Sequence, residues 1–352
     1  MRFEDLVKSR SAWLTGGGPE GEIVMSSRIR LARNLADKTF PNRATLTEKK
    51  EFLKGMVVAL KRIPRFQKGI VLKMNELSEI DRQFLVERNL ISRELAVSGE
   101  GSAVAIDREQ EVSVMINEED HLRMQVLLSG FRLEECWDMV SSVDDDLSRE
   151  LNYAFSSRLG YLTACPTNVG TGMRVSVMMH LPALILIKQI DQVTQAIVKL
   201  GLAVRGFYGE GTEVFVSMFQ ISNQVTLGKS ESEIMSSLKK VITQVVRSEK
   251  NARKALLKSN AEVLHDKIGR AYGILTNAHL VTSREAIDLL STLRIGVDLD
   301  IVGAIDRNAI NELFILTQPA HLQKLKGCEL DPNARDIERG SLLRNKLSRN
   351  NR

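Results

Sequence analysis

Five arginines at or beside the ends of predicted strands could bind phosphate. Arg28 and Arg30 are two residues apart in a strand-like run, so both point to one face. A planar guanidinium can donate two parallel hydrogen bonds to phosphate oxygens, and its charge stabilises a phosphoryl group during transfer. The five are Arg28, Arg30, Arg123, Arg174 and Arg205. Spacing alone also fits five unrelated surface arginines.

Two acidic segments could bind a cation and accept a proton from it. Residues 117–121, Asn-Glu-Glu-Asp-His, directly follow an alternating strand, and Glu210 lies in a glycine-rich loop. A guanidinium has a very high pKa and stays protonated at neutral pH, so it needs a base to become a nucleophile. The first segment could instead bind a metal or cap a helix that begins at Leu122, and the loop could be a simple turn.

Cys165 lies among turn-forming residues in the run 164–172, Ala-Cys-Pro-Thr-Asn-Val-Gly-Thr-Gly. Nearby arginines would favour its thiolate, which could orient a cationic substrate. The alternative is a buried, inert cysteine. Three cysteines far apart in sequence, Cys136, Cys165 and Cys328, argue against a disulfide framework and a zinc finger.

Familiar nucleotide-binding motifs are absent from the sequence. Gly228-Lys229-Ser230 resembles the end of a phosphate-binding loop, but Asn223 stands where its first glycine is required. The His-Arg-Asp and Asp-Phe-Gly pair of common protein kinases is also missing. A triphosphate must therefore be bound in another way.

The elements that would position these residues change in kind near residue 255. Before it we predict strands at 23–33, 70–74, 103–106, 112–116, 175–179 and within 202–227. We predict helices at 45–62, 79–90 and 182–200, and then at 231–258, 261–275, 284–293, 307–316 and 334–347. The pattern indicates an α+β domain followed by an all-helical domain.

Composition is that of a globular protein. The 352 residues are 43% hydrophobic and 26% charged, with a net charge of +5 that is spread along the chain. A nucleic-acid-binding protein usually concentrates its positive charge on one surface, so we expect no direct nucleic-acid binding here. The most apolar run, 181–187, is too short to span a membrane, and the N-terminus lacks the core of a signal peptide. We expect a cytoplasmic protein.

Four segments in order resemble the phosphagen kinase family, which includes creatine kinase and arginine kinase. They are Ser26-Ser27-Arg28-Ile29-Arg30, residues 117–123 ending in Leu-Arg, residues 165–171 with Arg174, and Arg205-Gly206 with Gly209-Glu210. Order and approximate spacing agree over about residues 23–255. Each segment alone is weak evidence for the family, but the four segments in this order are a specific signal for it.

Within that family the chain looks closest to the bacterial protein-arginine kinases. Only 25 residues precede the Ser-x-Arg-x-Arg motif, so the helical domain that encloses a small substrate in metabolic members is expected to be absent. The segment Arg335-Asp336-Ile337-Glu338-Arg339-Gly340 is similar to the Arg-Asp-x-x-Arg-Ala motif that these kinases use to bind phosphoarginine allosterically.

The resemblance implies a role for each matching residue. Glu119 and Glu210 would bind the acceptor guanidinium, with Glu119 as the general base, and Cys165 would position the guanidinium. Arg335, Asp336 and Arg339 would bind phosphoarginine. The ATP-binding residues implied are Ser26, Ser27, Arg28, Ile29, Arg30, Asn89, Arg123, Arg174, Val175, Ser176, Val177, Met178, Arg205, Gly206, Phe207, Tyr208, Gly209 and Glu210. Mg²⁺ would bridge the ATP phosphates.

Two positions depart from the family pattern. Asn89 stands where the family usually has a nucleotide-contacting histidine, so we expect weaker ATP binding. Gly340 replaces the alanine of the phosphoarginine motif and could loosen its helix. The alternative for residues 335–347 is a simple amphipathic basic helix.

The resemblance implies domains at 23–255 (catalytic; an antiparallel sheet flanked by helices, glutamine-synthetase-like) and 256–352 (helical, dimerising), after an N-terminal extension at 1–22. It implies that phosphorylated proteins are directed to a Clp-type protease in a stress response. A zinc-binding activator protein, a heat-shock repressor and a Clp ATPase would be partners. The alternatives are a metabolic phosphagen kinase acting on free arginine or a relative, and a non-catalytic phosphoarginine-binding adaptor.

Overall fold

The computed structural model describes residues 1–206, 217–303 and 305–348. Its centre is an eight-stranded sheet in which all neighbouring strands are antiparallel, in the order β2-β3-β4-β5-β1-β8-β10-β9. The strands are β1 Val24–Arg33, β2 Ile70–Lys73, β3 Ala103–Ile106, β4 Val112–Ile116, β5 Leu122–Ser129, β6 Phe155–Ser156, β7 Gly160–Tyr161, β8 Met173–His180, β9 Leu202–Gly206 and β10 Met218–Asn223. Strands β6 and β7 form a separate small hairpin.

Helices account for most of the remaining described residues. They are α1 Phe3–Lys8, α2 Leu46–Arg62, α3 Glu79–Glu87, α4 Arg93–Ala96, α5 Leu133–Ser148, α6 Pro182–Leu186, α7 Ile190–Lys199, α8 Glu231–Ser259, α9 Ala261–Asn277, α10 Ser283–Asp298, α11 Arg307–Leu316, α12 Pro319–Lys326 and α13 Pro332–Ser348. Thr45, Ser78 and Ser230 start α2, α3 and α8 with capping boxes, in which the third helical residue is acidic.

The two faces of the central strands differ in chemistry because side chains alternate along a strand. Ile29, Val126, Val175 and Val177 are fully buried in the main core, which also contains apolar residues of α2, α5 and α8. Their neighbours in sequence, including Arg28 and Arg30 on β1, lie on the opposite face. The helical layer therefore supports the strands from one side and leaves the other for polar side chains.

The C-terminal helices cover part of the polar face. Residues of α10, α11 and α13 form a second apolar core with Trp13, Met25, Leu127 and Met218. Helix α12 packs against α3 at the other end of the sheet. An open cleft with arginines at its base remains between these helices and the sheet.

The predicted antiparallel sheet flanked by helices is confirmed, as is the change to helices alone in the C-terminal region. The predicted domain boundary near residue 255 lies in the last turns of α8, which ends at Ser259. No helix among the described residues has the length and apolarity needed to cross a membrane.

Some elements differ from the sequence-based predictions. The alternative of a helix capped at Leu122 is wrong, because Leu122 begins β5. Helix α5 was not predicted. The single helix expected over 182–200 is two helices, because Lys188 between them has a left-handed φ of 58°.

Candidate active site

Four neighbouring or nearby strands bring the five predicted arginines to one face of the sheet. Arg30 on β1 lies directly opposite Arg174 on β8, and Arg28 lies opposite Ser176. Arg123 is on β5, the other neighbour of β1. Arg205 is on β9 at the sheet edge and is exposed. The predicted cluster therefore forms across the sheet.

Three of these arginines lack a carboxylate partner among the described residues. Arg28 donates to two neutral acceptors, Gln220 Oε1 at 3.0 Å and Ser176 Oγ at 3.4 Å. The Nε atoms of Arg30 and Arg174 are buried without any hydrogen-bond acceptor. A buried donor without an acceptor destabilises the fold, so these groups point to an anionic ligand.

Burial and mutual repulsion disfavour the charged form of these arginines. Burial first, and then the charges of Arg123 and Arg174, lower the pKa of Arg28 to about 10. The same two causes lower the pKa of Arg30 well below its ordinary value. Burial and the charges of Arg205 and Arg123 also lower the pKa of Arg174. A bound polyanion would remove this repulsion.

Arg123 differs because it has a carboxylate partner, Glu118. Both oxygens of the Glu118 side chain lie 2.8 Å from Arg123 Nη1, and Ser92 donates a further hydrogen bond to Glu118. Burial lowers the pKa of Arg123, but the Glu118 carboxylate outweighs it and raises that pKa. Sequence reasoning gave Glu118 no separate role, although its place in the acidic run beside Arg123 was the available signal.

Two adjoining cavities lie along the cleft. The carboxylate cavity, about 470 Å³, is lined by Glu94, Glu118, Glu119, Cys165, Thr167 and Asn168. The arginine cavity, about 690 Å³, is lined by Arg28, Asn89, Arg205, Trp13, Phe314 and Gln318. Arg30, Glu94, Arg123 and Arg174 line both cavities. The guanidinium groups therefore stand between two compartments of one cleft.

Glu119 in the carboxylate cavity is suited to accept a proton. Burial, followed by repulsion from Asp120 and Glu118, raises its pKa, while Arg123 opposes the rise. A carboxylate with a raised pKa is a stronger base than an ordinary one.

Asp120 ties the acidic segment to the loop that contains Cys165. It is buried and accepts hydrogen bonds from Asn34 Nδ2 at 2.5 Å and from the backbone N–H of Ala164 at 2.7 Å. The bond to Ala164 fixes the residue before Cys165. The acidic segment and the cysteine loop are thereby held on the same cavity.

The cysteine loop approaches the sheet closely. Cys165 is partly buried, and its Sγ lies 3.0 Å from Thr167 Oγ1. Gly172, with a left-handed φ of +64°, ends the loop where a Cβ would lie only 2.6 Å from the carbonyl oxygen of Ala32. Glycine is required there both by conformation and by space.

The remaining predicted nucleotide-binding residues divide between the two faces. Ser26, Ser176 and Met178 share the arginine face and line a small cleft beside Trp13. Ile29, Val175 and Val177 place their side chains in the main core instead. The hydroxyl of Ser27 donates to Gly130 O at 2.9 Å. These four support the strands from the opposite face.

Asn89 lines the arginine cavity and has a left-handed φ of 58°, which asparagine tolerates better than most residues. Its carbonyl accepts a hydrogen bond from Gln125 Nε2 at 2.6 Å. Gly206 ends β9, whereas Phe207, Tyr208, Gly209 and Glu210 lie outside the described residues. The predicted pairing of Glu210 with Glu119 stays a prediction.

The predicted phosphoarginine-binding residues lie on α13, in the C-terminal helical region. Arg339 is buried and donates to the carbonyls of Thr317 at 2.7 Å and Val281 at 2.8 Å and to Asp336 Oδ1 at 2.5 Å. Arg335 is partly exposed. At Gly340 a Cβ would lie 2.6 Å from the carbonyl of His279, so glycine lets α13 pack closely against that segment.

Comparisons with known proteins agree with this geometry. A family model described as ATP:guanido phosphotransferase, C-terminal catalytic domain, matches residues 51–252. A model described as Protein-arginine kinase McsB C-terminal domain matches residues 261–352. The first match covers β2 to β10 but not β1, which carries Arg28 and Arg30, and the second covers the C-terminal helices from α9 onward.

Protein-arginine kinases of other organisms are similar to this chain over almost its whole length. The protein-arginine kinase of Halothermothrix orenii is 47% identical over 349 residues, which are 99% of this chain and 100% of the relative. That of Geobacillus stearothermophilus is 48% identical over 339 residues, which are 96% of this chain and 93% of the relative.

Solved structures share the fold at lower identity. Lombricine kinase is 24% identical, with a TM-score of 0.58 over 67% of this chain and 68% of that chain. The duplicated taurocyamine kinase from Schistosoma mansoni is 23% identical, with a TM-score of 0.59 over 82% of this chain and 41% of that chain. The predicted phosphagen kinase fold is confirmed.

Proposed function

This chain belongs to the protein-arginine kinases of the ATP:guanido phosphotransferase family, and we propose that it transfers the γ-phosphoryl group of ATP to arginine side chains of proteins. The observation that carries the proposal is the set of buried guanidinium groups without carboxylate partners beside a cavity that contains Glu119. Phosphoryl transfer depends mainly on positioning and on electrostatic stabilisation. The cleft offers both.

ATP would occupy the arginine cavity. Arg28, Arg30 and Arg174 would donate to the phosphate oxygens, and Arg123, fixed by Glu118, would donate from the side. Asn89 and Trp13 border the same cavity. Because Arg30, Arg123 and Arg174 also line the carboxylate cavity, the γ-phosphoryl group would lie at the junction of the two compartments.

The acceptor arginine would enter the carboxylate cavity. Glu119 would accept a proton from the guanidinium, whose nitrogen would form a bond to the γ-phosphorus as the bond from phosphorus to the β,γ-bridging oxygen breaks. ADP would leave with the electron pair of that bond. Cys165, at the same cavity, would orient the guanidinium, and Glu210 would complete the carboxylate pair.

We expect Mg²⁺ to bind together with the nucleotide, because phosphoryl transfer from ATP generally uses it. In the described part of the chain no group of three or more His, Cys, Asp or Glu side chains could hold a metal ion. Mg²⁺ usually keeps several waters and binds substrate phosphates, so the phosphates of ATP would supply ligands to it. When bound, the ion offsets phosphate charge during transfer.

Regulation and partners follow from the family resemblance. Arg335, Asp336 and Arg339 would bind phosphoarginine, with the partly exposed Arg335 as the accessible cation. The proposed dimer, the cytoplasmic location, the activator and repressor partners and delivery of marked proteins to a Clp-type protease rest on that resemblance alone.

A direct test offers the enzyme a denatured protein or free arginine in the presence of MgATP. Mass spectrometry under conditions that preserve acid-labile N–P bonds would identify phosphoarginine. We expect modification of protein arginines at a higher kcat/KM than free arginine. Faster phosphorylation of the free amino acid would favour a metabolic kinase, and no turnover of ATP would favour a non-catalytic adaptor.

A further inference from the structure

The arginine cavity has an uncharged wall formed by two segments that are distant in sequence. This uncharged wall consists of Trp13, in the N-terminal extension, and Phe314, Ile315 and Gln318, where α11 is followed by α12. Trp13, Phe314 and Ile315 also belong to the second apolar core, so the two segments pack together. Trp13 precedes both parts of the chain that the family models match. The cavity is therefore bounded partly by residues outside the proposed catalytic domain.

The side chains along β1 give the cavity a direction. Arg30 lines both cavities, whereas Arg28 lines the arginine cavity but not the carboxylate cavity. Ser26 is the next residue along the same face, and it lines a small cleft together with Arg28 and Trp13. Successive side chains on one face of a strand are about 7 Å apart. Phosphates that extend from Arg30 to Arg28 would therefore place the nucleoside of ATP beside Trp13.

Hydrogen bonds fix Trp13 beside the cavity. Its indole Nε1 donates to the carbonyl oxygen of Arg88 at 3.0 Å. Nη1 of the buried Arg88 side chain donates to the carbonyl oxygens of Leu6 at 2.8 Å and Ser9 at 3.1 Å. Arg88 is followed by Asn89, which lines the cavity. The N-terminal extension is thereby bonded to the turn that borders the proposed nucleotide site.

The residue before Arg88 fixes the C-terminal part of the uncharged wall. Glu87 accepts hydrogen bonds from the backbone N–H groups of Ala320 at 2.8 Å and His321 at 3.0 Å, in the first turn of α12. One of its oxygens also lies 2.6 Å from His321 Nδ1. Gln318 directly precedes this helix. Residues 87–89 therefore join the N-terminal extension and the C-terminal helices beside the cavity.

We propose that the uncharged wall binds the nucleoside of ATP, with Trp13 as the residue that contacts the base; this rests on the proposed function. Aromatic side chains bind bases by stacking, and small-molecule sites combine apolar walls with a few polar groups. Trp13, Phe314 and Ile315 supply the apolar surface. The side-chain amides of Asn89 and Gln318 supply polar groups. Recognition of ATP then involves segments on both sides of the proposed catalytic domain.

The test compares MgATP with magnesium tripolyphosphate, which has the phosphates but no nucleoside. In calorimetric titrations, Trp13→Leu should weaken binding of MgATP by about tenfold, because base stacking is lost, and should change binding of tripolyphosphate by less than about twofold. Trp13→Phe retains an aromatic ring and should recover most of the affinity. Trp137→Leu is the matched control, because Trp137 is the other tryptophan of the chain and packs against the main core.

Gln318→Ala tests the C-terminal part of the uncharged wall. We expect it to weaken MgATP binding by about fivefold, as for the loss of one hydrogen bond, without affecting tripolyphosphate. Gln323→Ala is its control. Gln323 donates to Pro319 O at 3.1 Å, much as Gln318 donates to Phe314 O at 2.9 Å, but it does not line the arginine cavity.

A fluorescence measurement leaves Trp13 itself unchanged. In Trp137→Phe, Trp13 is the only tryptophan, so the emission reports on its surroundings. MgATP should change this emission, and magnesium tripolyphosphate should not. This measurement decides on its own if Trp13→Leu does not fold.

The outcomes separate the inference from the proposed function. Equal weakening of both ligands by Trp13→Leu, unchanged affinity of that variant for MgATP, or Trp13 emission that does not respond to MgATP would each overturn the inference. Unchanged affinity of Gln318→Ala would overturn the assignment of the C-terminal part. Protein-arginine kinase activity of the unmodified enzyme would stand in all these cases. An unmodified enzyme that binds no MgATP would overturn the proposed function and, with it, the inference.

Discussion

Buried arginines serve two different purposes in two regions of this molecule. Where the C-terminal helices meet the sheet, Arg294 of α10 is fully buried and bonded on all sides. It donates to Gly21 O at 2.7 Å, Asn311 Oδ1 at 2.9 Å and Glu22 O at 3.1 Å, and it pairs with Asp298 at 3.4 Å. On the arginine face of the sheet, the Nε atoms of Arg30 and Arg174 are buried without acceptors.

Burial alone does not distinguish these regions. It lowers the pKa of Arg28 and of Arg294 to about 10 in each case. Neighbouring arginines add to the lowering at both sites, but the carboxylates of Asp298 and Glu22 oppose it at Arg294, and no carboxylate opposes it at Arg28. Arg294 is paired with a carboxylate within the fold, whereas Arg28, Arg30 and Arg174 line an open cleft without a carboxylate partner among the described residues.

The acids show the same contrast. Asp298 is fully buried and contacts Arg253, Arg294 and Arg307. Glu119 has no ion pair among the described residues, and its pKa is raised by burial and by neighbouring carboxylates. One acid holds two parts of the fold together, and the other faces an open cavity.

The largest effect is expected from Arg30→Met. Loss of this guanidinium should lower kcat/KM for protein phosphorylation by about 10³, which corresponds to about 4 kcal/mol of transition-state stabilisation. The free energy of unfolding should stay the same or rise, because an unpaired buried charge is removed. Activity within tenfold of the unmodified enzyme would contradict a phosphate-binding role.

Arg294→Met should mainly lower the stability of the fold, in contrast to Arg30→Met, which should mainly lower activity. It leaves Asp298 with one guanidinium fewer and removes the donor to Gly21 O and Asn311 Oδ1, so the free energy of unfolding should fall by about 3 kcal/mol in urea titrations. Arg307→Met is the control, because Arg307 pairs with the same carboxylate but is partly exposed, and about 1 kcal/mol is expected. Equal stability of the two variants would refute the structural role of Arg294.

Glu119→Gln should lower kcat/KM by about 10², or about 2.7 kcal/mol, because the amide cannot accept the guanidinium proton. The base must be ionised, so activity of the unmodified enzyme should fall as pH drops through the raised pKa of Glu119. The variant should lack this acidic limb. Glu100→Gln, an exposed acid paired with Lys50, should leave the pH profile unchanged.

The smallest effect concerns His180, which bonds to Arg294 through Nδ1 at 2.8 Å and to Ser291 through Nε2 at 2.9 Å. Burial, and then the charges of Arg294 and Arg253, lower its pKa well below 6.5. The folded state keeps this histidine neutral, whereas the unfolded state protonates it at an ordinary pKa. The free energy of unfolding therefore falls as pH drops below the pKa of the histidine in the unfolded state.

Stability should therefore decline by about 1 kcal/mol per pH unit as pH falls below about 6.5. His180→Asn should reduce this slope in urea titrations at pH 7 and pH 5, although buried His121, whose pKa is lowered to about 4, contributes in the same direction. His265→Gln, at an exposed position, should leave the slope unchanged. A slope unaffected by His180→Asn would refute this assignment.

Local patterns made much of the fold predictable. The alternation at 112–116 and the helical periodicity at 45–62 gave elements within a residue or two of β4 and α2. The break at Lys188 was not predictable, because it depends on a left-handed backbone that local apolar periodicity does not reveal. Strand β5 was missed because its arginine and glutamine interrupt the apolar run.

The site was predictable only in part. Two-residue spacing placed Arg28 and Arg30 on one face, but the approach of Arg174 depends on β1 lying between β5 and β8, which is a long-range pairing. The resemblance to the phosphagen kinase family predicted that the five arginines form one site, which their spacing in the sequence could not show. It did not reveal that Val175 and Val177 belong to the core, because a motif read as a run includes both faces of a strand.

Calorimetric titration of MgATP into the unmodified protein and into Arg30→Met tests the central claim most directly. If the unpaired guanidinium groups form the phosphate site, the unmodified protein should bind MgATP and the variant should bind it at least about 100-fold more weakly. Equal affinity in the two proteins would contradict the account, because the triphosphate would then be bound without these arginines.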